Sequence, residues 1–230
     1  MKEMDIKRER GIEIVDFATS DYEEILRLQT CFFDELVEAK KAGSVGQEYL
    51  LAGEHPPVIT LGRRAKQENI LEARDILSAR GVGVYATGRG GDVTYHAPGQ
   101  LILYPILDLE RHHLGVKGYV DLLEESVMRL LETYGIKGER VEGATGVWIG
   151  KDTSEERKIC AIGVKCSHFC TMHGLALNVN TDLSGFGFIN PCGFKDKGVT
   201  SMKKELGHEV DFEKVKQQLL HIFLGLIFSF

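Results

Sequence analysis

Short apolar strand patterns alternate with longer amphipathic stretches along the whole sequence, and this order restricts the possible folds. The strand patterns lie at residues 12–17, 58–61, 82–86, 101–107, 147–149, 159–165 and 175–179. Helical spacing of apolar residues is found at 20–43, 68–80 and 118–134, and again from 212 onward. No linker rich in Pro, Gly and Ser divides the chain, and no period of about 20 to 50 residues repeats. We therefore predict a single α/β (α+β) domain with a mixed sheet over residues 1–230.

Two local features refine this prediction. Ser20 followed by Glu23 has the spacing of a capping box, so the first helix is expected to begin there. The apolar C-terminal stretch, residues 219–230, is shorter than the roughly 20 residues that span a bilayer. We therefore expect a terminal helix that packs on the core, and no membrane partner.

Charge and cysteine content limit the classes of protein to which this chain can belong. Lys and Arg number 28 against 34 Asp and Glu, a net charge of -6, so we expect no nucleic-acid partner. The N-terminus lacks the apolar run and small-residue cleavage site of a secretory signal. Five cysteines is an odd number, which suits reduced thiols better than a disulfide framework. These features predict a cytoplasmic protein.

Three cysteines cluster in the segment KICAIGVKCSHFCTMHG, at positions 160, 166 and 170. In one extended strand Cys166, His168 and Cys170 would share a face, which raises zinc binding as an alternative. Structural zinc usually shows paired C-x₂₋₄-C knuckles, and only one loose C-x₃-C occurs here. Buried apolar thiols are the favoured interpretation, and no metal site is predicted.

The string TGRGGDVTYHAPGQ, residues 87–100, holds four of the chain's 26 glycines. Between two strands it would bring backbone close to a ligand, with Arg89, Tyr95 and His96 as polar contacts. The alternative is a glycine-rich hairpin without a ligand. A nucleotide P-loop is excluded, because no G-x-x-x-x-G-K-[ST] occurs in the string.

Cys192 lies in the segment FINPCG, between Pro191 and Gly193. Proline prevents a helix from continuing and biases Asn190 toward extended backbone, so this cysteine is expected in an irregular loop. A loop cysteine of this kind is either presented to a ligand or buried as packing. The residues alone leave both open.

Five segments in this order resemble the lipoyl(octanoyl) transferases of lipoate assembly. They are GEHPPVITLGRRA (53–65), RGGDVTYHAPGQ (89–100), KICAIGV (158–164), TMHGLALNVNTDLS (171–184) and NPCG (190–193). The resemblance implies the catalytic-domain fold of lipoate- and biotin-protein ligases. It also implies an acyltransferase that moves an octanoyl group from acyl carrier protein to a lysine of a lipoyl domain, with no cofactor. Ala97 departs from the usual H-G-P-G-Q, and it is expected to be extended because Pro98 follows.

The resemblance also implies roles for particular residues. Cys192 resembles the nucleophile that holds the acyl group, and Lys158 resembles its catalytic partner. The substrate-binding residues it implies are Arg89, Gly90, Gly91, Asp92, Val93, Thr94, Tyr95 and His96 in the loop, and Ala161, Ile162, Gly163, Gly174, Leu175 and Ala176 as pocket walls. His96 and His173 either orient groups in the site or satisfy loop backbone, and the sequence does not decide between these roles.

The implied partners are octanoyl-acyl carrier protein as donor and lipoyl-domain proteins as acceptors, such as glycine cleavage H protein and the acyltransferase subunits of 2-oxoacid dehydrogenases. Acyl transfer from a thioester to an amine is downhill, so ATP is not required. A monomer is expected. The alternatives are an ATP-dependent lipoate- or biotin-protein ligase on the same fold, and a thiol or zinc-binding module built on Cys160, Cys166 and Cys170.

Overall fold

The structure is a computed structural model that describes residues 5–190 and 198–229. Its strands are β1 (Asp5–Glu9), β2 (Ile12–Thr19), β3 (Glu48–Glu54), β4 (Val58–Leu61), β5 (Gly83–Ala86), β6 (Val93–His96), β7 (Gln100–Ile106), β8 (Glu139–Val141), β9 (Ala144–Ile149), β10 (Arg157–Ser167), β11 (Cys170–Asn178) and β12 (Gly198–Val199). Its helices are α1 (Tyr22–Lys41), α2 (Arg74–Ala79), α3 (Val116–Glu132), α4 (Met202–Leu206) and α5 (Phe212–Ile227). Short 3₁₀-helices cover Gln67–Asn69, Leu109–His112 and Leu183–Phe188.

The described strands form two sheets. The larger has nine strands in the order β1-β2-β3-β7-β11-β10-β9-β8, with β12 paired to β10. The smaller has three, in the order β5-β4-β6. Parallel pairs (β2 with β3, β4 with β5, β10 with β12) occur among antiparallel ones, so the predicted mixed α/β architecture is confirmed.

Helices cover both faces of the large sheet. On one face α3 and α5 bury the largest apolar cluster, which includes Leu123, Leu219 and Phe223. On the other face α1 packs against β7 and β11. A third cluster lies against the small sheet. The C-terminal stretch is thus a helix on the core, as expected, and no described helix is long and apolar enough to cross a membrane.

The first helix begins one residue later than the predicted capping box. The Asp21 carboxylate accepts hydrogen bonds from the backbone N–H groups of Glu23 and Glu24, and the Ser20 hydroxyl donates to the Phe17 carbonyl. Ser20 fails as the cap because its own N–H still donates to the carbonyl of Glu54, which continues the pairing of β2 with β3.

The predicted helix over 68–80 is wrong in its first half. Only a 3₁₀ turn and the short α2 form there, because Ile70 pairs with Ile189 and the Leu71 N–H donates to the Phe188 carbonyl. The backbone between them is therefore extended. This places the end of the described 5–190 segment against residues 69–71.

Cys166, His168 and Cys170 do not share a strand face. The chain reverses between β10 and β11, with His168 and Phe169 at φ 51° and 59° in the left-handed region. Ser167 therefore pairs with Cys170 across a hairpin. Among the described residues no group of three His, Cys, Asp or Glu side chains could hold a metal ion.

Candidate active site

A cavity of ≈ 310 Å³ lies between the large sheet and β6 of the small sheet, within the size range of small-molecule sites. Most residues singled out from the sequence line it. They are Arg89, Gly91, Asp92, Val93, Thr94, His96, Lys158, Ala161, Ile162, Gly163, His173, Gly174, Leu175 and Ala176. The fold thus brings three distant segments of the chain around one space.

Two described residues implied by the resemblance, Gly90 and Tyr95, are not in this lining. The Tyr95 ring makes edge contacts with Phe186 and Phe188, because strand alternation turns it away from the face that carries His96. Gly90 donates its N–H to the Val164 carbonyl and holds the loop against β10. Cys192 lies outside the residues that the structure describes.

The glycine loop, which is the string at residues 87–100, is held by backbone hydrogen bonds from the turn after β4. The N–H groups of residues 62, 63 and 64 donate to the carbonyls of residues 92, 89 and 91, at 2.9 to 3.0 Å. Gly91 has φ 84°, and a Cβ on Gly62 would lie 2.5 Å from the Gly91 carbonyl oxygen. The Asp92 carboxylate is occupied within the loop, because it accepts from the Val93 N–H and from Asn69. The loop is therefore preformed.

Arg89 is a buried cation at the base of this loop. Its Nε and Nη2 donate to the Thr60 hydroxyl at 3.2 and 3.0 Å, Nη2 also donates to the Thr60 carbonyl at 2.7 Å, and Nη1 donates to the Gly90 carbonyl. The side chain is only 9% exposed. Such contacts fix the guanidinium in place, so its charge contributes a permanent positive field to the cavity.

Three neutral histidines lie in or beside the cavity. Burial lowers the pKa of His55 to about 4 and the pKa values of His96 and His173 to about 3, with the charge of Arg89 contributing at His96 and His173. His55 donates from Nδ1 to the Ser20 carbonyl and accepts from the Tyr104 hydroxyl. His173 has φ 59°, and its N–H donates to the Gln29 side chain.

Stability is expected to fall in mild acid because of these histidines. In the unfolded chain a histidine gains a proton near pH 6.5, whereas the buried rings remain neutral down to about pH 3 to 4. The unfolded state therefore binds more protons in this window. The free energy of unfolding, maximal above pH 6.5, should decrease by up to about 1.4 kcal/mol per pH unit for each histidine as pH falls.

Urea unfolding at pH 7.5 and pH 5 measures this slope. His55→Gln should flatten it, and the exposed control His221→Gln should leave it unchanged. A slope that is the same in wild type and His55→Gln would show that this ring does not contribute.

Lys158 lies on β10 between two neighbouring strands. It pairs with Trp148 on β9 and with Val199 on β12. Its Nζ donates to the Thr145 carbonyl at 3.0 Å and lies 4.5 Å from the centre of the Trp148 ring. A carbonyl oxygen and an aromatic face both favour the charged ammonium. The resting cavity therefore contains a cationic lysine.

The described residues on either side of the Cys192 segment are tied to the cavity rim. Before it, the Asn190 N–H donates to the Asn69 carbonyl at 2.8 Å, and the Asn69 side chain donates to Asp92. After it, Val199 pairs with Lys158 and the Thr200 N–H donates to the Lys158 carbonyl at 2.9 Å. Asn190, Val199 and Thr200 are thus held by hydrogen bonds to residues in or next to the cavity lining.

The four described cysteines are poor nucleophiles. Burial raises the pKa of Cys160 well above its usual range, raises that of Cys170 to about 11, and raises that of Cys166. Cys31 is exposed, and a hydrogen bond to Glu35 raises its pKa. Because the thiolate is the reactive form, none of these four is activated.

The small residues of the pocket wall have two different functions. A Cβ on Gly174 would lie 2.2 Å from the Leu103 carbonyl oxygen, and one on Gly163 would lie 2.9 Å from that of Gly90. Close backbone approach within the protein therefore requires both glycines, in addition to their place in the pocket wall that the resemblance implied. Ala161 and Ala176 pair across β10 and β11 and line the cavity, so the small side chains of these two alanines leave space above its floor.

Several residues that line the cavity were not predicted from the sequence: Tyr22, Arg64, Gln100, Tyr104, Thr145, Trp148, Asn178, Phe186 and Val199. Gln100 and Asn178 lie inside segments that carried the resemblance, and Trp148 is the chain's only tryptophan, so each offered a signal. Tyr22 and Tyr104 offered none, because only tertiary packing brings α1 and β7 to the cavity.

The fold and the cavity define a protein of the lipoate-ligase type. The family described as the lipoyl protein ligase A/B catalytic domain matches residues 21–224, and the chain belongs to this family. A protein named Octanoyltransferase from Bacteroides fragilis is 52% identical over 214 residues, which are 93% of this chain and 97% of that protein. Another of the same name from Chloroflexus aggregans is 52% identical and covers 80% of this chain and 82% of its own.

Solved structures share the fold. A bipartite lipoate protein ligase from Thermoplasma acidophilum has a TM-score of 0.70 at 16% identity, over 96% of this chain and 85% of its own. Lipoate-protein ligase A bound with ATP has a TM-score of 0.68 at 15% identity, and the match covers 93% of this chain and 85% of the ligase chain. At these identities the likeness concerns architecture. The expected ligase-type fold is thereby confirmed.

Proposed function

We propose that this chain is an octanoyltransferase that moves an octanoyl group from the thioester of acyl carrier protein to a lysine of a lipoyl domain in the cytoplasm. The observation that carries this proposal is the cationic Lys158 in the cavity, directly paired with the strand that follows Cys192. The named relatives, about half identical over most of the chain, support the octanoyl group as the cargo. Lipoyl-domain proteins are the acceptors that the family membership supports.

In the first half-reaction the Cys192 thiolate attacks the carbonyl carbon of the donor thioester. A free cysteine has a pKa near about 8.5, and a neighbouring ammonium increases the thiolate fraction at neutral pH. Lys158 supplies this charge. The new C–S bond forms, the bond to the carrier breaks, and the departing carrier sulfur takes a proton from Lys158. The products are the acyl-enzyme, a neutral lysine amine and the carrier thiol.

In the second half-reaction the acceptor lysine attacks the acyl-enzyme. At a pKa near about 10.4 only roughly one lysine in a few thousand is neutral at pH 7, so a base is needed. Lys158, neutral after the first step, takes one proton from the acceptor ammonium. The amide bond forms, the C–S bond to Cys192 breaks, and a second proton passes to solvent. Thiolate and ammonium are then restored.

Transfer without ATP tests this proposal against the ligase alternative. Purified protein, octanoyl-acyl carrier protein and an apo lipoyl domain should yield octanoylated domain in the absence of nucleotide. Free octanoate with ATP should yield none. Product that appears only with free acid and ATP would make the chain a ligase.

Acyl-chain length should depend on Ala176. This residue is buried, pairs with Ala161 and Ile102, and lines the cavity floor, so a leucine would fill space that a long chain needs. Each buried methylene is worth about 0.8 kcal/mol, so octanoyl transfer should fall about tenfold or more relative to butanoyl transfer.

The ratio of kcat/KM values for the two donors measures this preference. Ala79→Leu makes the same change at an exposed position on α2 and should leave the ratio unchanged. An unaltered ratio in Ala176→Leu would show that this residue does not limit the chain.

A further inference from the structure

Two buried amides, Gln100 and Asn178, connect the glycine loop to the strand beside Lys158. Gln100 donates from Nε2 to the Asn178 Oδ1 at 2.8 Å, and Asn178 donates from Nδ2 to the Thr200 carbonyl at 2.9 Å. The exposed fractions are 1%, 4% and 0% for Gln100, Asn178 and Thr200. Water is therefore a poor substitute partner for any of them.

Backbone carbonyls determine the direction of these hydrogen bonds. The Thr200 carbonyl only accepts, so the NH₂ group of Asn178 faces it and the oxygen of Asn178 faces Gln100. The NH₂ group of Gln100 then donates to Asn178 and to the Tyr95 carbonyl. Its oxygen faces His96, which must carry its proton on Nδ1.

The hydrogen bonds between His96 and Arg89 have the same donor-to-acceptor order. With Nδ1 protonated, His96 accepts at Nε2 from the Thr60 hydroxyl, which lies 3.3 Å away. That hydroxyl in turn accepts from Arg89, which can only donate. One ordered series of donors thus extends from Arg89 through His96, Gln100 and Asn178 to Thr200.

Thr200 is where this series meets the catalytic lysine. Its N–H donates to the Lys158 carbonyl, and its hydroxyl donates to Glu205. In the part of the chain that the structure describes, strand β12 consists of Gly198 and Val199, so the described part of its hydrogen-bond ladder is short. The bond from Asn178 to the Thr200 carbonyl is a side-chain clamp on this short strand.

We infer that Gln100 and Asn178 are positioning residues, which act through Thr200 to keep β12 in register with Lys158. This inference rests on the proposed function, because it assigns the amides to the geometry of that reaction. It gives a structural reason for a buried amide pair in the cavity wall. A displacement of about 1 Å at a catalytic group can cost a factor of about 10² in rate.

Asn178→Asp tests the clamp with almost no change in shape. The carboxylate still accepts from Gln100, but it has no proton for the Thr200 carbonyl. We expect kcat to fall by about 10- to 100-fold, with KM for the acyl donor within about twofold of wild type. Gln100→Glu removes the donor to Asn178 and serves as an independent second variant. We expect the same fall in kcat and the same nearly unchanged KM.

Asn180→Asp is the matched control. Asn180 lies two residues further along, and its side chain makes the same kind of bond, from Nδ2 to the Val210 carbonyl at 2.7 Å. It clamps the segment before α5 instead of β12. Its kcat should stay within about twofold of wild type even if its unfolding midpoint decreases.

A double variant separates coupling from general damage. Because both amides act through one contact, the losses of kcat in Gln100→Glu and Asn178→Asp should not add. The double variant should lose about as much kcat as the more impaired single variant. Additive losses, or losses that appear in KM, would overturn the inference while wild-type transfer leaves the proposed function intact. Wild-type protein that forms no acyl-enzyme would instead refute the proposed function.

Discussion

Lys158→Arg is expected to separate the two half-reactions. Arginine retains a positive charge near the nucleophile, and in this variant the carrier sulfur can leave as a thiolate and take its proton from solvent, because a thiol has a pKa near about 8.5. Acyl-enzyme formation should therefore fall by about tenfold or less. Arginine does not release its proton in proteins, so it cannot serve as the base for the acceptor amine. Transfer to the lipoyl domain should therefore fall by about 10²- to 10⁴-fold, the usual value of a general base.

The surroundings of Lys158 make this substitution informative. The Thr145 carbonyl and the Trp148 ring both accommodate a cation, so an arginine has favourable contacts in the same place. Lys158→Met, which removes the charge, should impair both steps. Single-turnover rates measured separately for each half-reaction provide the test. Equal losses of rate in both steps of Lys158→Arg would disprove that Lys158 acts as a cation in the first step and as a base in the second.

Cys192→Ala is expected to abolish transfer, with a loss of about 10³-fold or more, because no other thiol can replace the nucleophile. The raised pKa values of Cys31, Cys160, Cys166 and Cys170 support this, since each holds its thiol in the protonated form. Steady-state transfer to an apo lipoyl domain measures the loss.

Cys166→Ala is the appropriate control for this variant. Cys166 is half-buried near the end of β10, and it is not among the residues that line the cavity. Its loss should leave transfer within about twofold of wild type. Comparable defects in the two variants would assign the reaction to a different thiol.

Sequence patterns predicted the architecture well where periodicity was regular. The helix α3 and the strands β7, β9, β10 and β11 lie close to their predicted positions. Strand β3 was missed, because it is buried on both faces and shows no alternation of polar and apolar residues. The turn at His168 and Phe169 was missed because neither residue is a glycine or asparagine, the usual signal for positive φ.

The candidate site was predictable only as separate segments. Local chemistry identified the glycine loop, and the resemblance supplied Lys158 and Cys192 together with the pocket walls. Neither showed that Gly163 and Gly174 are required by neighbouring carbonyls, since that depends on how closely the strands and the loop approach. The hydrogen bond between Gln100 and Asn178 likewise spans 78 positions in the chain, and only the fold reveals it.

The central claim is that the acyl group is held on Cys192 between donor and acceptor. Wild-type protein should be mixed with octanoyl-acyl carrier protein without ATP, quenched, and analysed by intact mass and peptide mapping. The account predicts one octanoyl group per chain, located on the peptide that contains Cys192 and lost when apo lipoyl domain is added. An adduct on Cys31, Cys160, Cys166 or Cys170, or octanoylation of the lipoyl domain with no enzyme adduct, would contradict it.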